Sequence, residues 1–230
     1  MNLIRNYEIS SDIKIEQLSD INKNKSLNFD YTFKILLIGD SNVGKSSLIL
    51  KSVKNKFIEE FKSTIGFEFF YLRYKINNKN IQLQLWDTCG QERYHSLIKN
   101  IYKNSVLTIM VYSICDNNSF DNLEFWLKEI KIYSQPNIPV FLIGNKKDIE
   151  NERIVKFKKG KQFFNDYNLQ FFMETSAKIG FSSNELFKEV AMFLYLEYLN
   201  NKVRISRPID DIKIKNQHKK YEKYRLKKCC

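Results

Sequence analysis

The sequence predicts an α/β fold in which a mostly parallel sheet is covered by helices on both faces. Between residues 33 and 200, short apolar runs of β type alternate with longer runs of helical periodicity. Connections of helix length make successive strands parallel. The polar stretch 76–80 is short enough for a hairpin, so one antiparallel strand is expected at an edge of the sheet.

The elements follow in order along the chain. Strands are expected at residues 33–38, 66–75, 81–86, 106–112, 140–144 and 169–173, and helices at 44–53, 119–133, 156–167 and 183–200. The last helix has the clearest pattern, because Ser182 and Glu185 are spaced as a capping box. Its apolar face consists of Phe187, Val190, Ala191, Leu194 and Tyr198.

Three regions are predicted on this basis. Residues 1–30 are polar with scattered isoleucines, so we expect an N-terminal extension that is disordered or only locally helical. Residues 31–200 form the folded domain. Residues 201–230 lose apolar periodicity and turn basic, which predicts a flexible tail.

Composition limits the class of protein. With 230 residues and 43% hydrophobic content, one domain with a real core is expected. The apolar stretches 106–115 and 191–199 reach about half of the ~20 residues that a membrane-spanning helix needs. Residues 1–10 lack the apolar centre of a secretory signal, so we expect the protein in the cytosol or on a membrane facing it.

The charge is concentrated at one end. The formal net charge is +12, and residues 202–228 hold eleven Lys or Arg against three acids, or +8. A basic tail argues against a basic globular face, so nucleic-acid binding is the lesser hypothesis.

The four cysteines show no metal-ligand spacing, so reduced thiols are expected.

A phosphate-binding loop is predicted at residues 39–46, GDSNVGKS, between the first strand and the first helix. Glycines let backbone N–H groups close around phosphate oxygens, and the helix N-terminus adds positive potential. Lys45 would reach the β and γ phosphates, and Ser46 would offer its hydroxyl to Mg²⁺. The candidate binding residues here are Gly39, Asp40, Ser41, Asn42, Val43, Gly44, Lys45, Ser46 and Ser47.

The third strand is followed by Asp87, Thr88, Cys89, Gly90 and Gln91. Asp87 would hold Mg²⁺ through water, the Gly90 N–H would meet the γ phosphate, and Gln91 would orient an attacking water. Because ligands bind at the carboxyl ends of parallel strands, these residues should converge with the phosphate-binding loop.

Two further motifs follow the fifth and sixth strands and select the base. A carboxylate at Asp148 accepts two parallel hydrogen bonds from guanine, which adenine cannot offer. The Ala177 N–H would complement the guanine O6, and Lys146 would cover one face of the base. The predicted base-binding residues are Asn145, Lys146, Asp148, Ser176, Ala177 and Lys178.

With these motifs, residues 33–200 resemble a small GTPase of the Ras superfamily, most closely a Rab. The resemblance lies in STIGFEF at 63–69, LQLWDTCGQERY at 83–94, GNKKD at 144–148 and ETSAK at 174–178. It implies a P-loop GTPase fold with six strands and one antiparallel edge strand. It also implies that Thr64 closes on Mg²⁺ and the γ phosphate and that Phe57 lies beside the base. Residues 83–98 and 101–105 and the segment ETSAKIGF resemble the Golgi-associated Rab branch.

The chain also departs from the family pattern. Cys89 stands where alanine is usual, Ser113 replaces a common aspartate, and Phe67 and Phe70 replace smaller or basic residues. The catalytic and metal positions are retained. The departures therefore concern the surface that faces effectors.

The function expected from the resemblance is a switch that cycles between GTP and GDP and hydrolyses GTP slowly without an activating protein. Cys229 and Cys230 match the double cysteine that carries geranylgeranyl groups in many Rabs. The resemblance implies membrane anchoring, effector recruitment in vesicle trafficking, an exchange factor, an activating protein and a GDP-dissociation inhibitor. We expect a monomer on the cytosolic face of Golgi or transport vesicles, with a soluble cytosolic pool.

Two alternatives stay open. The first is a GTP-binding scaffold with negligible hydrolysis, which Gln91 argues against. The second is a nucleic-acid binder that uses the basic tail. The tail has no stacking-aromatic motif and ends in two cysteines, which suits a membrane better.

Overall fold

The computed structural model describes residues 3–4, 13–18, 29–58, 66–88, 100–200 and 203. These residues contain one sheet of eight strands. The strands are Leu3–Ile4 (β1), Ile15–Gln17 (β2), Tyr31–Ile38 (β3), Phe67–Ile76 (β4), Lys79–Thr88 (β5), Leu107–Ser113 (β6), Val140–Asn145 (β7) and Phe171–Glu174 (β8).

The sheet has the order β1-β8-β7-β6-β3-β5-β4-β2. The central pairs β3–β5, β3–β6, β6–β7 and β7–β8 are parallel, and β4 pairs with β5 antiparallel through a hairpin. Asn77 takes a φ of 52° in the turn of that hairpin, which asparagine tolerates better than most residues. The predicted α/β class and the mostly parallel sheet are confirmed.

Helices cover both faces of the sheet. They are Lys45–Lys54 (α1), Asn117–Asp121 (α2), Leu123–Tyr133 (α3), Phe157–Asp166 (α4) and Ser183–Leu199 (α5), with a 3₁₀ helix at Lys147–Glu152. Helices α1 and α5 bury apolar side chains in one core, and α2, α3 and α4 bury theirs in the other. Both cores are built on β3, β6 and β7, whose side chains alternate between the two faces.

For the described part of residues 1–30, the expectation of disorder or local helix is wrong at the two segments that form strands. Strand β1 pairs antiparallel with β8, and β2 pairs antiparallel with β4, so the N-terminal region supplies both edges of the sheet. The sheet therefore has two strands more than the six expected, and β4 is not an edge strand. Both added strands are too short for the apolar alternation along the chain to reveal them.

Strand β2 is held by its own side chains as well as by its backbone. Ile13 and Ile15 pack against the core that α1 and α5 cover, and the Gln17 amide donates to the carbonyl of Ser52 at 3.2 Å. Beyond the strand, the Leu18 N–H donates to the carbonyl of Arg73 at 2.8 Å. Partial burial of Ile13 and Ile15 thus joins this segment to the domain.

Two details of the helices differ from expectation. The helix expected at 119–133 is two helices that meet at Asn122. The capping box at Ser182 is also wrong, because Ser182 has a φ of 54° and makes no side-chain cap hydrogen bond. Among the described helices, none combines the length and apolar character that a bilayer crossing requires.

Candidate nucleotide-binding site

The predicted motifs meet at the carboxyl ends of the parallel strands. Residues 39–44 connect β3 to α1, Asp87 lies at the end of β5, Asn145 ends β7, and Thr175 directly follows β8. The strand order places β3 beside both β5 and β6, with β7 and β8 following on one side. The carboxyl edge of the sheet therefore collects these motifs at one place, as expected for this class of sheet.

Two positions in the loop require glycine. Gly39 has a φ of 134°, and a β-carbon there would lie 2.1 Å from the Val111 carbonyl oxygen. Gly44 has a φ of 96°, and a β-carbon there would lie 2.3 Å from the Asn145 side-chain nitrogen. Both distances are far below any real contact, so the loop reaches this path only with glycine.

Lys45 closes the loop from inside. Its side chain is buried, and Nζ donates to the carbonyl oxygens of Gly39 and Asp40 at 2.8 Å each. Lys45 is also the first residue of α1, so its ammonium adds to the positive end of the helix dipole. A buried cation and a helix N-terminus at one loop form a strong anion-binding arrangement.

Ser46 and Asp87 form a pair of oxygens beside the loop. The Ser46 hydroxyl donates to Asp87 Oδ2, and Asp87 is 1% exposed. Hydroxyl and carboxylate oxygens are the ligands that Mg²⁺ prefers. The pair fits the metal role that the sequence predicts for it.

Asn145 connects the phosphate-binding loop to the loop after β8. Its buried amide donates to the Val43 carbonyl at 2.9 Å, and Oδ1 accepts from Thr175 Oγ1 at 3.1 Å and from the Ala177 N–H at 3.3 Å. One side chain therefore satisfies groups from both loops. The sequence indicated Asn145 and Ala177, whereas no motif gave Thr175 a role.

The residues expected around the base lie together. The Ser176 hydroxyl donates to Asp148 Oδ1 and accepts from the Ile179 N–H at 3.3 Å. Lys146 has a φ of 70°, in the left-handed region, and directly precedes the 3₁₀ helix that carries Asp148. Lys178 is exposed beside Ala177. The structure thus brings the two predicted base-binding motifs into direct contact.

An ion-pair network supports the loop after β8, and sequence reasoning missed it. Arg153 Nη1 donates to Glu174 Oε1 at 2.7 Å, and Arg153 Nε donates to Glu150 Oε1 at 2.6 Å. The Glu174 side chain is 2% exposed, whereas that of Glu150 is 58% exposed. The hydrogen bond to Glu174 is the main cause that raises the pKa of Arg153. The hydrogen bond from Arg153 in turn lowers the pKa of Glu150. No local motif marks these residues.

Several predicted residues lie outside the described ranges. They are Thr64, Cys89, Gly90, Gln91, Cys229 and Cys230. Phe57 is described, and 36% of its side chain is exposed just beyond α1. Its position beside the base stays a prediction.

Together, the glycine-dependent loop, the buried lysine and the parallel sheet define a nucleotide-binding domain of the P-loop class. Comparison with protein families then gives the family. The model of the Ras family matches residues 34–195, and the chain belongs to this family of small GTPases.

Similar proteins include several with Rab names. "Ras-related protein Rab-11B" of Dictyostelium discoideum is 43% identical over 178 residues, which are 77% of this chain and 80% of that protein. "Ras-related protein RABA1b" of Arabidopsis thaliana is 42% identical over 73% of this chain and 77% of that protein. "GTP-binding protein ypt3" of Schizosaccharomyces pombe is 43% identical over 70% of this chain and 75% of that protein.

These relationships carry the general function. As a Rab-type small GTPase the chain binds guanine nucleotide, hydrolyses GTP and functions in vesicle trafficking together with regulators and effectors. The alternative of a scaffold with negligible hydrolysis is not favoured.

Proposed function

We propose that the chain is a Mg²⁺-dependent GTP/GDP switch. In this switch the Ser46 hydroxyl and the Asp87 carboxylate would hold the Mg²⁺ ion beside the nucleotide phosphates. The hydrogen bond from Ser46 to the buried carboxylate of Asp87 carries the proposal, because it sets both oxygens at the start of α1. Bound Mg²⁺ would neutralise charge on the β and γ phosphate oxygens. Lys45, whose ammonium donates to two loop carbonyls in this structure, would supply a second positive charge to the phosphates.

The other residues divide into base selection and water positioning. Asp148 accepts a hydrogen bond from Ser176 and provides the two carboxylate oxygens that match guanine. The buried N–H of Ala177 belongs to the residue that follows Ser176. We assign to Gln91 the orientation of the attacking water and to Thr64 and Gly90 the contacts with the γ phosphate. The assignments of Gln91 and Gly90 come from the motif after the third strand, and that of Thr64 comes from the resemblance to the family.

Magnesium dependence tests the proposal. Ser46→Ala is expected to raise the Mg²⁺ concentration for half-maximal retention of GDP by about 10–100-fold, the range seen when metal-site partners are lost. Release of a fluorescent GDP analogue, measured across a Mg²⁺ series with a chelator at the low end, gives this value. Ser134→Ala, at the end of α3 and outside the candidate site, is the matched control. An unchanged Mg²⁺ dependence in Ser46→Ala would contradict the metal assignment.

We also propose that the chain is anchored to the cytosolic face of endomembranes through prenyl groups on Cys229 and Cys230. The basic composition of residues 201–230 supports this, because a lipid chain and a polybasic segment are the usual pair of signals for stable anchoring. The Golgi branch and a monomeric state stay predictions. The relatives carry Rab11, RABA1 and ypt3 names, which do not name a compartment.

Replacing both cysteines by serine is expected to move the protein from membrane to soluble fractions in its own cells. Each buried CH₂ contributes roughly 0.8 kcal/mol, so prenyl chains outweigh the ~1 kcal/mol of a basic residue near the surface. Neutralising Lys219, Lys220, Lys223, Arg225, Lys227 and Lys228 serves as the control and should redistribute the protein among membranes without full release. An unmodified C-terminus on membrane-bound protein, seen by mass spectrometry, would rule out this anchor.

A further inference from the structure

The acidic residue of the phosphate-binding loop is bound from outside the loop. Trp126 Nε1 donates to Asp40 Oδ1 and Asn122 Nδ2 donates to Asp40 Oδ2, both at 2.7 Å. Each carboxylate oxygen thus accepts one hydrogen bond from the region where α2 meets α3. Trp126 is 3% exposed, so its N–H needs an acceptor inside the protein.

The two hydrogen bonds turn the Asp40 carboxylate toward α3. A carboxylate in a loop that binds phosphates repels them, and it competes with them for the ammonium of Lys45. Lys45 instead donates to the backbone carbonyl of Asp40, at 2.8 Å. Asp40 therefore meets Lys45 through its main chain and α3 through its side chain.

The anchoring region is fixed to the sheet. The Ser113 N–H, at the end of β6, donates to Ser119 Oγ on α2 at 3.0 Å, and the Asp116 side chain caps α2 by accepting from the Asn118 N–H. The backbone N–H of Asn122 then donates to the Asn118 carbonyl at 2.9 Å. A continuous series of contacts thus runs from β6 through α2 to Asp40.

We infer that Asn122 and Trp126 are positioning residues for the phosphate-binding loop. Through Asp40 they hold the loop carbonyls that orient Lys45 and keep the carboxylate turned toward α3. They thereby lengthen the lifetime of the bound nucleotide. The inference rests on the phosphate-binding role of residues 39–46 and is independent of the metal assignment.

Trp126→Phe tests it, since this change removes the N–H and keeps an aromatic ring in the core. We expect GDP to dissociate about tenfold faster, as for loss of a hydrogen bond to a charged group. Asn122→Ala, at an exposed site where misfolding is not a concern, should also accelerate release. Ile132→Ala changes an exposed residue of α3 away from the Asp40 bonds, and it should release GDP at the parental rate.

A double-mutant cycle separates positioning from loss of packing. In an Asp40→Ala background, Trp126→Phe should no longer accelerate GDP release, because its acceptor is gone. The cycle uses the full chain with fluorescent GDP and Mg²⁺ throughout, and the parental chain confirms that nucleotide is bound. A full tenfold effect of Trp126→Phe in that background would overturn the inference. So would parental release rates in both single variants, Trp126→Phe and Asn122→Ala.

Discussion

Asn145→Ala is expected to accelerate GDP release by at least about 100-fold, because it leaves three buried partners without a hydrogen bond at roughly 1–3 kcal/mol each. The partners are the Val43 carbonyl, the Thr175 hydroxyl and the Ala177 N–H. Two of them belong to the loop after β8 and one to the phosphate-binding loop. The variant should therefore loosen the phosphate and base contacts together.

Stopped-flow release of a fluorescent GDP analogue measures the effect. Thr175→Val is the graded control, since it removes one of the three bonds and keeps the side-chain shape, and it should fall between the parental chain and Asn145→Ala. If Thr175→Val released GDP as fast as Asn145→Ala, the amide of Asn145 would not be what joins the two loops.

Arg153→Ala is expected to lower the free energy of unfolding by about 3–5 kcal/mol, because it leaves the buried carboxylate of Glu174 without its main partner. Lys147 Nζ lies 3.8 Å from Glu174 but is itself 39% exposed, so it compensates little. For a domain of this size the loss corresponds to a fall in melting temperature of about 6–20 °C. Thermal unfolding with saturating GDP measures it.

The same arginine supplies its own control. Glu150→Ala removes the exposed partner of Arg153 and should cost less than about 1 kcal/mol, as surface ion pairs do. In the Arg153→Ala background, Glu174→Gln should restore part of the lost stability, since it removes the buried charge. Equal destabilisation by Arg153→Ala and Glu150→Ala would show that burial of Glu174 does not set the size of the effect.

The sequence was informative where the chemistry is local. The phosphate-binding loop, the six longer strands and the two base-binding motifs each occupy a few consecutive residues of restricted type, so pattern and function are visible together. The motifs alone were enough to predict roles for Asn145, Asp148 and Lys45. The contact between Ser176 and Asp148 follows from the rule that strand ends share one edge of the sheet.

The missed features depend on contacts between distant parts of the chain. Arg153 reaches Glu174 across 21 positions, and Trp126 reaches Asp40 across 86. Nothing near these residues in the sequence marks their partners. The capping box predicted at Ser182 was wrong for another reason. Its spacing to Glu185 fits a capping box, but its left-handed backbone is not the extended conformation that this cap needs.

The strand pairing at the two edges of the sheet has a consequence for the order of folding. Leu3 pairs with Phe172, so an early residue of the chain meets its partner only after nearly three quarters of the sequence has been synthesised. Ile15, by contrast, can pair with Ile76 once the β4–β5 hairpin exists. Contacts of such long sequence separation form late because the intervening chain must first be ordered. On the ribosome, the β4 side of the sheet can therefore close well before the β8 side.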